Sequence, residues 1–162
     1  MAKCDQCDGT ILVGGVPFQR NLFCGELCVA RYKAGIAEMN LGKEAMDQAV
    51  LEAFQSKCRG CQNGTSLDIY TVSDITSFIL VFTLAKSTNV CCAACARKHC
   101  LVAAGHTMLF GIWSPRGLGL SILLVPYNLL RGLFTFKPSA PSERFAISVK
   151  AQLGDRFLRQ IR

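Results

Sequence analysis

Eight of the ten cysteines in this 162-residue chain fall into four close pairs: Cys4 with Cys7, Cys24 with Cys28, Cys58 with Cys61, and Cys92 with Cys95. Two residues between thiolates let both sulfurs of one tight turn face a single ion, and a second pair brought in by the fold completes a tetrahedral shell. Taken in chain order, the pairs give two sites of four thiolates each. Zinc and iron both accept such a set, so two structural ions, Zn2+ or alternatively iron, are the expected cofactors. Four thiolates close the shell and leave no position for a reacting water. Disulfides are the competing use of the same residues. The opening Met1-Ala2-Lys3-Cys4 has no charged, apolar and cleavage-site series of a secretory signal, which points to a reducing compartment where thiols persist. Cys91, His99 and Cys100 are left over; Cys91 could replace Cys92 as a ligand, and His99 could replace a thiolate.

The elements that must position these sulfurs can be read around them. Residues 1–40 read as a treble-clef zinc finger: a Cys4-Asp5-Gln6-Cys7 knuckle, a turn-rich ribbon through Gly14-Gly15-Val16-Pro17, then Phe23-Cys24 and Cys28 running into Val29-Ala30-Arg31-Tyr32. Three residues between Cys24 and Cys28 match one helical turn, so both can face a metal from a helix start. This part resembles the TRASH-like treble-clef fingers, in which a CxxC knuckle is followed by an aromatic-Cys-x3-Cys helix start. Residues 41–57 form a connecting helix, with Ala45, Met46, Ala49, Val50, Ala53 and Phe54 on one apolar stripe. Residues 58–100 form a second, zinc-ribbon module. In it Leu67 to Val72 and Phe78 to Leu84 read as two strands turning at Ser73-Asp74, and Ala93 to Leu101 reads as a helix leaving the site.

Residues 101–136 then read as an apolar helical hairpin. Leu101 to Trp113 and Leu118 to Leu130 are thirteen residues each, separated by Ser114-Pro115-Arg116-Gly117. A helix of that length covers about 20 Å, short of a hydrocarbon layer about 30 Å thick. Three arrangements are open: a buried pair in a soluble protein, a hairpin dipping into one leaflet, or a single crossing from Gly117 to Phe136. Positive residues on both flanks, Arg97 and Lys98 before and Arg131 and Lys137 after, favour the second, with both ends on the cytoplasmic side. Pro126 and Arg131 speak against the third. Residues 137–162 are a linker, Lys137 to Pro141, and a basic amphipathic helix whose Phe145, Val149, Leu153, Phe157 and Ile161 recur every fourth residue. The fold class expected is a small, metal-stabilised α+β protein: two treble-clef or zinc-ribbon modules joined by a helix, then the hairpin and the amphipathic helix.

A second resemblance covers residues 58 to 131. Ser77-Phe78-Ile79-Leu80, Cys92-Ala93-Ala94-Cys95-Ala96-Arg97-Lys98, Phe110 to Leu118 and Tyr127-Asn128-Leu129 are similar to a recurring pattern of small uncharacterised bacterial zinc-ribbon proteins. Ile112 and Arg116 stand where that pattern has tryptophans. The resemblance implies a zinc ribbon joined to a membrane-associated hairpin, and it brings no assigned activity.

The formal charge of +7 counts every cysteine as neutral; thiolates around two dications lower it to about +3. Basic residues are not interleaved with aromatics around either site, which makes nucleic-acid or ribosome binding the alternative reading rather than the first. An enzyme would need a nucleophile and a positioned base. With His99 and His106 as the two histidines, and no phosphate loop or carboxylate pair, none is found. Cys58-Arg59-Gly60-Cys61 would suit thiol exchange only at a helix opening in a βαβ unit, which is missing. The function expected is therefore a non-enzymatic zinc-binding adaptor or accessory subunit, peripheral or monotopic at the cytoplasmic side of a membrane or in a membrane protein complex. Leu109, Phe110, Trp113 and Leu124 would insert, and Arg156 and Arg159 would meet an anionic surface. The sequence carries no signal of oligomeric state.

Overall fold

The computed structural model describes residues 2–78 and 81–160, and it divides into two compact units, 1–53 with 143–162 and 54–142. The chain is a small α+β protein. Its compact units do not follow the sequence segments in order, because the C-terminal helix belongs with the N-terminal finger.

Unit 1 begins with two short antiparallel ribbons: β1 (Ala2–Lys3) with β2 (Thr10–Ile11), and β3 (Val16–Phe18) with β4 (Asn21–Phe23). Helix α1 (Glu26–Leu41) follows. It ends at Gly42, whose φ of +80° takes the left-handed region and whose N–H closes on Glu38 O at 3.0 Å. That glycine separates α1 from α2 (Lys43–Gln55), the helix expected from the Met46, Val50 and Phe54 stripe, all three of which are buried. The core is built on the first cysteine site: Cys4, Phe23, Cys28 and Val29 are buried together, and Ile11, Val16, Phe18 and Tyr32 pack on them.

Helix α5 (Glu143–Gln160) lies on α1. A Cβ at Gly154 would stand 2.1 Å from the Lys33 carbonyl oxygen, so the two backbones touch there as only glycine allows. Lys33–Asp155, Arg31–Glu143 and Lys150–Asp47 ion pairs border the contact, and Phe145 is buried. Of the apolar stripe, Phe145 is buried and Val149, Leu153 and Phe157 are half-buried in unit 1. Ile161 lies outside the described residues.

Unit 2 holds one long hairpin and two helices. Strands β5 (Asp68–Phe78) and β6 (Val81–Cys91) pair from Asp68↔Cys91 to Phe78↔Val81. The turn expected at Ser73-Asp74 is not there. Those residues sit mid-strand, opposite Lys86 and Ala85, and the pairing continues to Phe78↔Val81; residues 79–80 lie outside the described residues. Local turn chemistry loses to tertiary partners: Ser73 O accepts from Asn128 Nδ2 at 2.8 Å, and Asp74 meets His106 Nδ1 at 3.3 Å.

Helix α3 (Ala93–Phe110) is continuous through Leu101, which joins the expected site helix to the first apolar segment. Helix α4 (Pro115–Leu133) is nineteen residues long, with Pro126 inside it. It starts inside the expected separator because Ser114 caps it, accepting from Gly117 N at 3.0 Å, with Pro115 at the first helical position. Among the described residues, no helix is long and apolar enough to cross a membrane.

Candidate metal centres

The eight paired cysteines converge into two groups, Cys4, Cys7, Cys24 and Cys28 in unit 1 and Cys58, Cys61, Cys92 and Cys95 in unit 2, the ligand atoms of each lying within 4.8 Å of one another. Sulfur pairs stand 3.7 Å (Cys7–Cys24), 3.4 Å (Cys24–Cys28), 3.8 Å (Cys58–Cys95) and 3.6 Å (Cys61–Cys92) apart. A tetrahedron of sulfurs at about 2.3 Å from a zinc ion has edges of about 3.8 Å, so both cages fit such an ion. All ten cysteines are free, and disulfides are not the use made of them.

The two cages are built alike. Each begins with a knuckle that reverses tightly at the residue directly after its second cysteine. Asp8 N bonds to Cys4 O at 2.9 Å and Gln62 N to Cys58 O at 2.8 Å, with Asp8 and Gln62 both in the left-handed region at φ 57° and 61°. Cys4 N closes on Gly9 O and Cys58 N on Gly64 O. A hairpin follows, and then a helix: Cys24 precedes the Gly25 cap of α1, and Cys92 is itself the cap of α3. Cys28 and Cys95 lie within the first turn of their helices. Knuckle, hairpin and helix start thus occur twice in one chain.

Backbone N–H groups supply the surrounding electrostatics. Burial opposes ionisation of Cys4, but amides of Cys24, Gln6 and Cys7 aimed at its sulfur outweigh it and bring the thiol down to about 6. Cys58 behaves in the same way: burial opposes, amides of Cys92, Gly60 and Cys61 prevail, and the thiol falls to about 6. Cys61 is lowered by the Asn63 and Gly64 amides, the latter 3.3 Å from its sulfur. The last member of each set responds in the opposite sense. Cys28 is pushed up to about 12 by its hydrogen bond to Cys24 and by burial, and Cys95 is raised by burial and by the neighbouring sulfurs. Each cage thus offers ready thiolates and resists the full set of four charges, which is the condition a dication relieves.

Gly64 is the residue that sequence reasoning missed here. A Cβ on it would stand 2.4 Å from Cys92 Sγ and 3.2 Å from Cys61 Sγ. The leftover residues stay outside both cages. Cys91 is buried and driven up to about 11 by that burial, and Cys100 is buried between Val72 and Ala103. His99 and His106 line a cavity of about 190 Å³ with Asp74 and Ser87.

The remaining singled-out residues lie apart from the cysteines. Leu109, Phe110 and Trp113 are exposed, at 65%, 48% and 64%, at the end of α3 and beyond it. Leu124 is half-buried, and its neighbours Ile122 and Leu123 face outward instead. Arg156 and Arg159 are exposed on α5 in unit 1. Comparison of the chain with protein-family models, with curated proteins and with solved structures finds no match.

Proposed function

We propose that this protein is a non-enzymatic, metal-locked adaptor held at the cytoplasmic face of a membrane by the outer face of α3 and α4. The observation that carries the reading is the inversion of this helix pair. The residues α4 hides are Gly117, Ser121, Asn128 and Gly132, and those α3 hides are Ala93, Ala96, Cys100, Ala103, Ala104 and Thr107. The large apolar side chains point the other way: Leu101, Val102, Met108 and Leu109 on α3, and Ile122, Leu123, Leu130 and Leu133 on α4, are all more than half exposed. A helix pair packed for water puts its large apolar residues inside. Helices packed for lipid meet through small residues and interhelical polar bonds, since the surrounding tails satisfy the large side chains.

The polar bonds of this pair run to β5. Thr107 Oγ1 accepts from Ile75 N at 3.1 Å, and Ser77 Oγ donates to Gly111 O at 2.8 Å. At the crossing, a Cβ on Gly117 would stand 2.3 Å from Gly111 O.

The pair lies in the plane of the interface in this reading and does not enter tip first. Exposed apolar residues run along both helices, and Arg116 sits where the two meet, at the start of α4. Tip-first entry would carry Arg116 toward the leaflet centre at a cost of about 2.5–3.5 kcal/mol. Four-thiolate centres would hold the fold rigid in a reducing compartment, with zinc as the ion.

The test is flotation of the full-length, zinc-loaded protein with phospholipid vesicles. Full burial of a leucine is worth about 1.5–3 kcal/mol, so replacing two that are about two-thirds exposed, Leu109→Ser with Leu123→Ser, is expected to weaken partitioning about 30- to 1,000-fold. Their loss leaves thermal stability almost unchanged, because both already face water in the isolated protein. Failure of the parent protein to float with any vesicle, or a large fall in melting temperature in the double variant, would overturn the reading.

A further inference from the structure

Unit 2 carries eight lysines and arginines against two acidic residues, Asp68 and Asp74, while unit 1 carries ten against nine. Asp68 takes the Ser142 hydroxyl at 2.5 Å and Asp74 faces His106. Among the described residues no lysine or arginine of unit 2 forms an ion pair, whereas Arg31, Lys33 and Lys150 of unit 1 all do. A filled four-thiolate site takes two charges from unit 2 and still leaves it at about +4. The unpaired cations and the outward apolar side chains belong to the same unit.

They also meet on one face. Along α3 the exposed side runs from Arg97 and Lys98 to Leu101 and Val102, one turn on, and then through Gly105 to Met108 and Leu109. At the cationic end a cavity of about 360 Å³, bordered on one side by Cys92 of the unit 2 cage, opens among Asn63, Thr65, Ala94, Arg97 and Lys137. Arg97 is fixed there by its Nε, which donates to Thr135 O at 2.8 Å. Its terminal amino groups and the Lys137 ammonium have no partner among the described residues. Exposed Phe134 and Phe136 flank Thr135. A fixed fork of donors beside a second cation, bordering an apolar face, suits a phosphate group that carries hydrocarbon chains.

We propose that this face is a receptor for anionic phospholipids, with the headgroup phosphate held between Arg97 and Lys137 and the acyl chains along α3 and the Phe134–Phe136 segment. The assignment rests on the membrane reading above and adds lipid class and headgroup site to it.

The test compares flotation of the full-length, zinc-loaded protein on pure phosphatidylcholine vesicles and on vesicles containing phosphatidylglycerol, for the parent and for Arg97→Gln with Lys137→Gln. At about fivefold per cation close to an anionic surface, the parent is expected to favour the anionic vesicles, and the double variant to lose about thirtyfold on them. That variant should bind neutral vesicles as the parent does and should keep its zinc. Lys86→Gln, on β6 away from the cavity, should have a smaller effect than either single change at the cavity. Equal binding to both vesicle types would overturn the lipid-class assignment and leave the membrane reading standing. A preference that survives in the double variant would overturn the headgroup site. No binding to either vesicle, with salt-sensitive binding to single-stranded RNA lost in the double variant, would overturn both readings in favour of a nucleic-acid surface.

Discussion

Alanine at position 64 tests the metal geometry of unit 2 with a single carbon atom. The Cβ it adds would lie 2.4 Å from Cys92 Sγ and 2.7 Å from Cys92 Cβ. Ordinary non-bonded contact needs about 3.5–4.0 Å, so the sulfur or the loop must move by about 1 Å. Metal–ligand distances tolerate only about 0.2 Å. The loop is not free to yield, because Gly64 N bonds to Cys61 Sγ at 3.3 Å and Gly64 O takes Cys58 N at 2.8 Å. Loss of such outer contacts alone costs about 10–100-fold in metal affinity, and Gly64→Ala is expected to cost at least that at one site of the two. Two companion changes grade the effect. Gly60→Ala would place its Cβ 3.3 Å from Cys95 Sγ and should weaken binding slightly, whereas Gly25→Ala meets nothing within 4 Å and should bind as the parent does. Zinc competition with a chromophoric chelator on the full-length protein reads both sites at once, the unit 1 cage serving as internal reference. Two zinc ions held by Gly64→Ala as tightly as by the parent would refute the geometry proposed for unit 2.

Proton release on zinc loading should depend on pH in a defined sense. Cys4 and Cys58, lowered to about 6, have shed most of their protons at pH 7 and hold them at pH 5. Calorimetry in buffers of differing ionisation enthalpy should therefore find roughly three protons or fewer released per ion at pH 7 and nearer four at pH 5, with affinity falling as pH falls; equal release at both would contradict the amide-stabilised thiolates. In unit 1, Phe145→Ala should destabilise the zinc-loaded protein by about 3–5 kcal/mol, while Arg159→Ala should stay within about 0.5 kcal/mol. Thermal unfolding that ranks them the other way would mean that α5 does not dock through Phe145.

The cysteine cages were legible because ligand spacing is a local property: a knuckle and a helix turn fix which sulfurs can converge, whatever lies between them. The α2 stripe was legible for a similar reason, since Met46, Val50 and Phe54 all turn inward. Ser73-Asp74 misled because the Ser73 backbone is bonded by Asn128 and the Asp74 carboxylate lies 3.3 Å from His106 Nδ1, more than thirty residues away in the chain. The α5 stripe was read correctly as amphipathic, but periodicity does not name what covers it, and Gly154 against Lys33 is visible only in three dimensions. The same limit applies to α4. Its apolar content was plain, yet the informative residues were the small ones, Gly117, Ser121, Asn128 and Gly132, whose spacing of four, seven and four marks the hidden side.

The outward-facing large side chains of α3 and α4 also give unit 2 reason to rely on an ion in its cysteine cage. Among the described residues it buries Phe54, Leu67, Val72 and Ile75 together with small residues of α3, Ala93, Ala96, Ala103 and Ala104, while most large apolar side chains of α3 and α4 face outward and contribute little to folding in water. Hydrogen bonds that Ser77 and Asn128 donate to backbone carbonyls, and that Thr107 accepts from Ile75 N, add roughly 1 kcal/mol each, which does not replace a core. Binding of zinc to a four-thiolate site supplies about 10–16 kcal/mol to structural zinc modules, as much as the whole net stability of a typical domain, about 5–15 kcal/mol. In the membrane reading proposed above, a surface that keeps its leucines outward requires something other than leucine burial to hold the backbone. Metal removal should consequently unfold unit 2 and make it prone to aggregate through its exposed apolar side chains.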